Sequence, residues 1–477
     1  MAVLWVTVAA LAATALGVTI TLSLAPYDHP TLPNPLGNTS RLIRTLKSVS
    51  AEQNGTQLPV KSSCGMVWVT VHSKELRVGT ITIENPLELN WDFSGCAAVP
   101  AQIGLFYGWP ASWSNAVAAY VISSTQGYIV TNISIGNIVL PNNWHNGRGI
   151  SGPACLWPWV AAGSSTSFDT MNCLKIQPTW MQDSAASINR LRIGDLAIPG
   201  THNAGAWRFN TEVSTAARDS FVLCQDQSIW AQLVFGIRYF DFRIGYYEIY
   251  HNVDDRYWLN HNLIRVRPLV PLLREIRAFL DSTNEVIFLD AHHFPVGFYQ
   301  QDGSPIWHVH TGLLQIIQRE LGPHLALAIQ FGTGIGTRGP TMQSLLDANK
   351  RLVFSYVDNS VVAANNWLWP NLPQLWANTN SPTDLFRFLD QAIANSPTSN
   401  ARSPLFSAMA QTTPSVLDIL LLRGSIRENA DTVNRHVTLR LIYQWRQRSN
   451  IIASDFFLGN DVIEQSIVLS TERGSRL

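Results

Sequence analysis

Apolar and polar residues alternate in two different ways along this chain. Between residues 63 and 181, short alternating or apolar runs are separated by Gly, Pro, Asn and Ser, which is typical of antiparallel strands joined by turns. After residue 183, apolar runs of strand length alternate with amphipathic stretches, which is typical of parallel strands connected by helices. The pattern therefore predicts a small all-β sandwich followed by an α/β domain.

The runs also predict where the individual elements lie. In the first region the predicted strands are 66–71, 76–83, 102–107, 120–123, 128–133 and 138–140. In the second region the predicted strands are 191–198, 237–242, 257–260, 286–290, 352–356, 405–408 and 451–456, and the predicted helices are 268–280, 306–320, 383–394 and 431–448. This order favours a TIM-type (β/α) barrel, whose active site would lie at the carboxyl ends of the strands. An open doubly wound sheet is the alternative, although no glycine-rich nucleotide motif follows a strand.

The first 25 residues contain no charged side chain and are mostly apolar. Such a segment is typical of a secretory signal peptide, and an uncleaved membrane anchor is the alternative. We interpret residues 26–62 as a linker, 63–181 as the sandwich and 182–477 as the barrel, in keeping with the two or three domains expected for a chain of 477 residues. The sequence thus predicts a secreted protein, or one anchored in the secretory pathway.

The charge of the chain argues against one class of partner, and its glycosylation motifs lie in one part of the sequence. Charged residues make up only 14% of the chain and the formal net charge is 0, so a nucleic-acid-binding surface is not indicated. Glycosylation sequons occur at Asn38, Asn54 and Asn132, and all three precede the predicted barrel. Nothing in the sequence of the predicted sandwich identifies its partner.

Four of the five cysteines, Cys64, Cys96, Cys155 and Cys173, lie in the first region. An even set in an exported segment is readable as two disulfides with three possible connectivities, and we favour Cys155 with Cys173; buried free thiols are the alternative. The fifth, Cys224, falls in a predicted helix without the spacing of a zinc site or an activated thiolate, so we assign it to core packing.

Charged and imidazole residues gather where the predicted strands end. They are His202, Asn203, Asp241, Arg243, His261, Asp290, His292, His293 and Asp455. Any one of them alone is readable as a structural residue. Because they follow five different strands, their placement indicates the active site of a barrel.

Several of these residues lie in segments that resemble the X domain of phosphatidylinositol-specific phospholipases C. The segments are 196–205 (LAIPGTHNAG), 236–243 (GIRYFDFR), 259–263 (LNHNL), 284–292 and 450–457 (NIIASDFF). They follow the order of that family between about residues 188 and 459. The resemblance implies an irregular TIM-type barrel that cleaves the phosphodiester between a lipid glycerol and inositol.

The chemistry of that reaction agrees with the residues present. Cleavage through the inositol 2-hydroxyl needs a base for the hydroxyl, an acid for the leaving glycerol oxygen and positive charge at the phosphate. By the resemblance, His202 is the base, His261 is the acid and Arg243 clamps the phosphate oxygens through its planar guanidinium. Asp455 would orient His202, and Asp241 would orient Arg243 or a histidine.

The pair Asp241 and Arg243, two residues apart, indicates whether the reaction needs a metal ion. Calcium-dependent members of the family carry carboxylates at both positions, because calcium takes six to eight oxygen ligands. An arginine at the second position therefore predicts a metal-independent reaction with no cofactor. His292 falls where metal-independent members carry a lysine, so we expect it to contact phosphate or inositol; a structural role for His292 and His293 is the alternative.

Two positions depart from the family pattern. Asn203, a candidate substrate-binding residue, replaces an aspartate that supports the acid histidine, and Asn262 replaces a glycine. The sequence predicts a phospholipase C acting on phosphatidylinositol or a glycosylphosphatidylinositol (GPI) lipid at a membrane surface. A non-catalytic protein that binds inositol lipids or phosphoesters is one alternative, which the two departures support. A structural or adhesive protein based on the sandwich is another.

Overall fold

The structure is a computed structural model that describes residues 64–78, 81–138, 140, 152–207, 220–332, 338–395 and 403–477. The predicted signal segment and linker, with Asn38 and Asn54, lie outside the described residues. Residues Ala51–Leu477 form one compact unit, and the domain boundary near residue 181 stays a prediction. Within the described ranges, no helix is both long and apolar enough to cross a membrane.

The first region is built from antiparallel strands. They are β1 (Met66–Val71), β2 (Leu76–Val78), β3 (Ile81–Ile83), β4 (Pro86–Asp92), β5 (Gln102–Tyr107), β6 (Ala116–Val121), β7 (Gln126–Ser134), β8 (Ala154–Gly163) and β9 (Phe168–Ile176). They pair as β1-β4-β7, as β6-β5-β8-β9 and as the hairpin β2–β3. We call β1 to β9 the N-terminal sheets.

The strand predictions for the first region need correction at several points. The predicted strand 76–83 is a hairpin, and Ile138 and Leu140 lie outside any strand. β4, β8 and β9 were not predicted. Every residue of β4 is buried, so it lacks the alternation of exposed and buried positions by which a half-exposed strand is recognised.

Two disulfides and a common core hold the N-terminal sheets together. Cys64 is bonded to Cys96 and Cys155 to Cys173, the second being the pairing that the sequence favoured. Apolar side chains of both larger sheets belong to one continuous core, which also includes residues of the second region. Examples are Val69, Leu89, Leu105, Val160, Leu233 and Phe457.

The second region contains one nine-stranded sheet. Its strands are β10 (Ile198–Thr201), β11 (Tyr239–Tyr246), β12 (Tyr257–His261), β13 (Ile264–Pro268), β14 (Ile287–Val296), β15 (Leu352–Tyr356), β16 (Gln374–Leu375), β17 (Ser407–Ala410) and β18 (Ile451–Ser454). Seven of them pair in parallel in the order β15-β14-β11-β10-β18-β17-β16. The hairpin β12–β13 adds antiparallel to the last residues of β11.

Helices connect most of the parallel strands. They are α1 (Trp180–Asp183), α2 (Ala185–Ile188), α3 (Ile229–Phe235), α4 (Leu269–Ser282), α5 (Trp307–Leu321), α6 (Ala328–Phe331), α7 (Met342–Asp347), α8 (Asn359–Ala364), α9 (Pro382–Ala394), α10 (Val416–Leu420), α11 (Ile426–Tyr443) and α12 (Val462–Ser475). The longer ones present one apolar face to the sheet; in α4, for example, Leu273, Ile276 and Leu280 are buried. The chain is therefore a mixed α/β protein.

The pairing of the sheet does not show the closed barrel. β15 and β16 stand at opposite ends of the order, and no ladder joins them in the described part of the chain. The first predicted strand is also misplaced, because Ile193–Asp195 forms a 3-10 turn and β10 begins only at Ile198. Asn450 holds this turn by donating its side-chain amide to Ile193 O at 3.1 Å and to Leu196 O at 2.9 Å. Buried turn residues of this kind have the same apolar pattern as a short strand.

Candidate active site

His202 and Asp455 meet because their strands are neighbours. β10 and β18 are parallel, with Thr201 opposite Ser454, so the residue that follows each strand lies beside the other. His202 Nδ1 donates to Asp455 Oδ1 at 2.7 Å, and both side chains are buried. This hydrogen bond places the ring proton on Nδ1 and leaves the lone pair on Nε2.

Arg243 and Asp241 come from the same face of β11. Arg243 Nη2 donates to His202 Nε2 at 2.7 Å. The Nε and Nη2 atoms of Arg243 also donate to Asp241 Oδ2, at 3.3 and 3.2 Å. Asp455, His202, Arg243 and Asp241 therefore form one continuous chain of hydrogen bonds.

Asp241 is fully buried and ionised. Burial alone would raise the pKa of its carboxyl, but the Arg243 guanidinium, the neighbouring His202 and His292 imidazoles and the Asn203 N–H outweigh burial and hold that pKa well below its ordinary range. The Asn203 N–H donates to Asp241 Oδ2 at 2.9 Å. Asp241 thus contacts both Arg243 and the backbone beside His202.

His261 ends β12, which runs antiparallel to the end of β11. Its Nδ1 donates to Val222 O at 2.8 Å, so Nε2 is left for a ligand. Burial, then the nearby Arg243 guanidinium and the neighbouring His202 imidazole, lower the pKa of His261 to about 3. The proposed acid is therefore neutral near pH 7 in the free protein.

The two departures from the family pattern have a common backbone feature. Asn262 has φ +50° and Asn203 has φ +42°, in the left-handed region that asparagine adopts more readily than most residues. At Asn262 this conformation makes the turn between β12 and β13, where a glycine would serve equally. Asn203 makes no hydrogen bond to His261 among the described residues, and its Nδ2 is buried with no partner there. The substrate-binding role predicted for Asn203 stays a prediction.

The polar residues of β14 divide into structural and accessible groups. Asp290 is buried and accepts from Tyr239 Oη and Ser355 Oγ, both at 2.8 Å, so it serves the packing of the sheet interior. His292 Nδ1 lies 3.2 Å from Asp290 Oδ2 but outside hydrogen-bond geometry. Burial lowers the pKa of His292, yet the Asp290 and Asp241 carboxylates outweigh it and raise that pKa. The side chain of His293 is exposed.

Gln374 is a site residue that the sequence did not reveal. Its Nε2 donates to Asp241 Oδ1 at 3.2 Å and to Tyr239 Oη at 3.1 Å. β16, which carries Gln374, has only two residues and lies in a Pro- and Asn-rich segment. A strand this short has no periodicity, so no signal in the sequence marked it.

Cys224 lies close to the site, and its predicted helix is wrong. It is in an extended segment before α3, with its N–H donating to Ala206 O at 2.8 Å. Burial, followed by the negative charge of Asp455, raises the pKa of the Cys224 thiol well above its usual value. The thiol therefore stays protonated, which fits packing rather than nucleophilic chemistry.

Two groups of potential metal ligands occur among the described residues: His202, Cys224 and Asp455, and His72, Glu88 and Asp431. In the first, both ring nitrogens of His202 already have partners, Asp455 and Arg243. In the second, the guanidinium of Arg435 contacts all three residues. A metal cation could bind either group only by displacing an arginine, so neither group is preorganised to bind a metal ion.

The class of protein that this sheet and this strand-end site resemble is the phospholipase C-like X domain. PI-PLC X domain-containing protein 3 from Mus musculus is 26% identical over 321 residues, which cover 61% of this chain and 92% of that protein. PI-PLC X domain-containing protein 2 from Mus musculus is 27% identical over 323 residues, covering 62% and 86%. The human protein 3 is 25% identical over 321 residues, covering 61% and 92%. These relatives confirm the resemblance seen in the motifs.

Solved structures of bacterial enzymes are also similar. The phosphatidylinositol-specific phospholipase C from Listeria monocytogenes aligns with a TM-score of 0.45 and 18% identity, covering 62% of this chain and 98% of that enzyme. A fluorinated-phenylalanine variant of the Staphylococcus aureus enzyme aligns with a TM-score of 0.43 and 13% identity, covering 61% and 97%. No protein-family model matches this chain.

Proposed function

We propose that this chain is a metal-independent phosphodiesterase of the phospholipase C type that cleaves phosphatidylinositol or a GPI lipid. The observation that carries the proposal is the hydrogen-bonded chain from Asp455 through His202 to Arg243, with the Nε2 atom of His261 left open. It supplies a base, a second imidazole and a phosphate-binding cation within one site.

The reaction proceeds by attack within the substrate. His202 Nε2 takes the proton of the inositol 2-hydroxyl, and the 2-oxygen forms a bond to phosphorus. The bond from phosphorus to the glycerol oxygen breaks, and that oxygen takes a proton from His261 Nε2, which the imidazole acquires when the bound phosphate raises its pKa. The products are a cyclic inositol phosphate and diacylglycerol. Arg243 stabilises the negative charge that builds up on the phosphate oxygens.

Arg243 has to change partners when substrate binds. In the free protein its Nη2 donates to His202 Nε2, which is the atom that must accept the hydroxyl proton. A phosphate is a stronger acceptor for a guanidinium than a neutral imidazole is. Substrate therefore draws Arg243 away and frees the base, so the base becomes available only with a phosphodiester in place.

We also infer that the sheet forms a TIM-type barrel and that the N-terminal sheets form a sandwich. Gln374 on β16 donates to Tyr239 and Asp241 of β11, although β16 and β11 are not neighbours in the sheet. An isolated bridge joins Ser355 of β15 to Trp369, which precedes β16 in the chain. Both observations support closure. The shared core of the two larger N-terminal sheets supports face-to-face packing.

An exposed apolar surface supports a lipid substrate. It consists of Trp376, Leu417, Ile419, Leu420, Leu421 and Leu422, and we call it the apolar rim. Its residues follow β16 and β17, which are parallel to β10, so the rim lies at the same edge of the sheet as His202. Trp376 Nε1 donates to Thr413 Oγ1 at 3.1 Å, which joins the two rim segments. An apolar group of this size at the mouth of the site suits contact with a membrane that holds the substrate.

We further propose that the chain is exported, either secreted or signal-anchored. The two disulfides support an oxidising compartment, and the side chain of Asn132 is exposed on β7, where a glycan has room. Enzymatic removal of N-glycans should increase the gel mobility of protein made in a eukaryotic secretory host, and Asn132→Gln should remove part of that change. A mobility insensitive to the glycosidase would argue against export.

A second function is a protein that binds inositol lipids or phosphoesters without turnover. It is favoured by the low pKa of His261, about 3, which leaves the proposed acid without its proton near pH 7. It is also favoured by the contact that covers His202 Nε2. Both features disappear if a bound phosphodiester recruits Arg243 and raises the pKa of His261.

The deciding experiment is turnover of phosphatidylinositol vesicles by the purified chain in the presence of EDTA. We expect a cyclic inositol phosphate in the phosphorus NMR spectrum, together with an equal amount of diacylglycerol. Vesicle binding without either product would favour the binding protein. Absence of both binding and product would reject the two proposals together.

A further inference from the structure

Asn434 of α11 lies between the N-terminal sheets and the strand end that carries Asp455. Its side chain is buried, with 2% of its surface exposed. Its Nδ2 donates to Ser73 Oγ at 3.0 Å, to Asp455 O at 3.1 Å and to Phe456 O at 3.3 Å. The Asn434 amide therefore joins Ser73, which lies just after β1, to the backbone of Asp455, the residue that is hydrogen-bonded to His202.

The backbone directly after Asp455 has a conformation that needs support. Phe456 has φ +46°, in the left-handed region that aromatic residues rarely adopt. Its N–H donates to Cys224 O at 2.8 Å, and its carbonyl accepts from the Gly459 N–H at 2.8 Å. Such a conformation persists only where neighbouring contacts fix it.

The N-terminal sheets supply part of that support directly. A Cβ atom on Gly459 would lie only 2.5 Å from Ser73 Oγ and 2.6 Å from Asn434 Nδ2, so the end of β1 packs against this turn. Arg427 Nη1 donates to Ser73 O at 3.4 Å, and the guanidinium lies 4.2 Å from the centroid of the Phe456 ring. Asp226 pairs with the same guanidinium.

A buried charge cluster fixes the N-terminal sheets on α11. Arg435 Nε donates to Glu88 Oε1 at 3.0 Å, and Arg435 Nη2 donates to Asp431 Oδ1 at 2.7 Å. His72 Nδ1 lies 3.1 Å from Glu88 Oε2. Asp431, Asn434 and Arg435 are spaced to share one face of the helix. Because a buried carboxylate is costly to leave unpaired, the cluster holds that face against β4.

We propose that Ser73 and Asn434 are positioning residues that hold the Asp455 backbone, and through Asp455 set the orientation of His202. On this view the N-terminal sheets are a necessary part of the active-site structure rather than a separate module. The kinetic consequence of the proposal rests on the proposed phosphodiesterase function. Its geometric consequence, the integrity of the hydrogen bond from His202 to Asp455, does not.

The geometric test observes the His202 Nδ1 proton by NMR in the full chain labelled with ¹⁵N-histidine. A ring proton donated to a carboxylate gives a resonance far downfield, and Asp455→Asn assigns it by its shift or loss. We expect Asn434→Ala to broaden the resonance or shift it upfield, and Ser73→Ala to act in the same direction to a smaller extent. The control is Ser114→Ala, an exposed serine of the N-terminal sheets, which should leave the resonance unchanged.

The kinetic test uses the same variants. We expect Ser73→Ala to lower kcat by about fivefold, the factor that corresponds to one ordinary hydrogen bond, with little change in KM. Ser114→Ala should keep the parent kcat. A purely structural role for Ser73 would lower the midpoint of unfolding and leave kcat at low temperature unaltered.

The outcomes separate the two proposals. If the parent chain shows no turnover but the resonance moves in Ser73→Ala, the phosphodiesterase proposal fails and the positioning role stands. If Ser73→Ala and Asn434→Ala both fold and keep the resonance of the parent, the positioning role is rejected. If Asn434→Ala does not fold, Ser73→Ala alone decides in the same way.

Discussion

Arg243 Nη2 lies 2.7 Å from His202 Nε2, so the proposed phosphate-binding cation and the proposed base are bonded to each other in the substrate-free protein. The same guanidinium is held from behind by the ionised carboxylate of Asp241. The cation is therefore oriented before substrate arrives, and the arriving phosphate has only to exchange one hydrogen bond.

The first prediction concerns Arg243. Turnover should persist in EDTA, because in the proposed mechanism the Arg243 guanidinium supplies the positive charge that stabilises the phosphate oxygens. Arg243→Ala should lower kcat by about 10²- to 10³-fold, the usual effect of removing a transition-state donor. Arg387→Ala, an exposed arginine of α9, is the matched control and should keep its activity. Loss of turnover on chelation, restored by calcium, would show that a metal is required.

The second prediction separates acid from base. His202→Ala and His261→Ala should each lower the rate by at least about 10²-fold on a lipid substrate. With a nitrophenyl inositol phosphate, whose leaving group needs no proton, His261→Ala should recover much of the lost rate. His202→Ala should stay impaired, because the hydroxyl still needs a base. Equal defects of both variants on both substrates would mean that the two histidines only bind phosphate.

The third prediction concerns the protonation of His261. Its pKa of about 3 in the free protein should rise when an anion is placed beside it, because the negative charge offsets Arg243. Proton uptake on binding means, by linkage, that the anion binds more tightly as the pH falls. An inositol sulfate ester, whose own charge is constant, should therefore bind more tightly at pH 5 than at pH 7. His261→Asn should reduce this difference in affinity between the two pH values. An unaltered difference would mean that a group other than His261 takes up the proton.

The fourth prediction concerns the buried pair of Arg238 and Glu285. Arg238 Nε donates to Glu285 Oε2 at 2.8 Å, and neither side chain is exposed. Arg238→Met should lower the free energy of unfolding by about 3–5 kcal/mol, because it leaves a buried carboxylate unpaired. Removing the exposed Arg387 should cost at most about 1 kcal/mol.

The pH dependence of this variant gives a further check. Burial, only partly offset by Arg238, already raises the pKa of Glu285 in the parent protein. Without Arg238 the folded state should hold a proton on Glu285 more tightly still. The loss of unfolding free energy in Arg238→Met, relative to the parent, should therefore shrink as the pH falls. Urea unfolding of both proteins at pH 7 and pH 5 measures this loss. A deficit independent of pH would mean that the lost packing of Arg238, and not the charge of Glu285, dominates.

The fifth prediction concerns the apolar rim. The double variant Leu420→Ser, Leu421→Ser should reduce cosedimentation with phosphatidylinositol vesicles and lower the rate on them. Hydrolysis of a water-soluble inositol phosphodiester should be unaffected, because the rim does not contact His202. Val121→Ser, at an exposed position of β6, is the control. A variant that binds vesicles as well as the parent would exclude the rim as the membrane contact.

The parallel strands near the site were largely predictable from sequence, and so were the residues at their ends. β15 was placed correctly because its residues, LVFSY, are apolar apart from Ser355. His202, Asp241 and Asp455 were recognised because polar residues gather near the ends of the predicted strands. Their mutual contacts depend on which strands are neighbours, and that information came from the resemblance rather than from the periodicity.

Other features had no local signal. β12 was read as one of the parallel strands, yet it is antiparallel to β11, and strand direction leaves no mark on periodicity. Gln374 was missed because two residues cannot show a pattern. α12 has apolar residues spread round its surface rather than in one stripe, so its helical period is weak. The contact of Asn434 with Ser73 joins positions 361 residues apart, which no inspection of a local window can reveal.

That separation has a consequence for how the protein is made. During synthesis the N-terminal sheets leave the ribosome long before α11, so Glu88 lacks its contact with Arg435, and Ser73 its contact with Asn434, for most of translation. Contacts so distant in sequence form slowly, because the intervening chain must be ordered first. Partly synthesised chains of this kind are prone to aggregation. The nascent protein should therefore depend on chaperones until its last strand and helix have emerged.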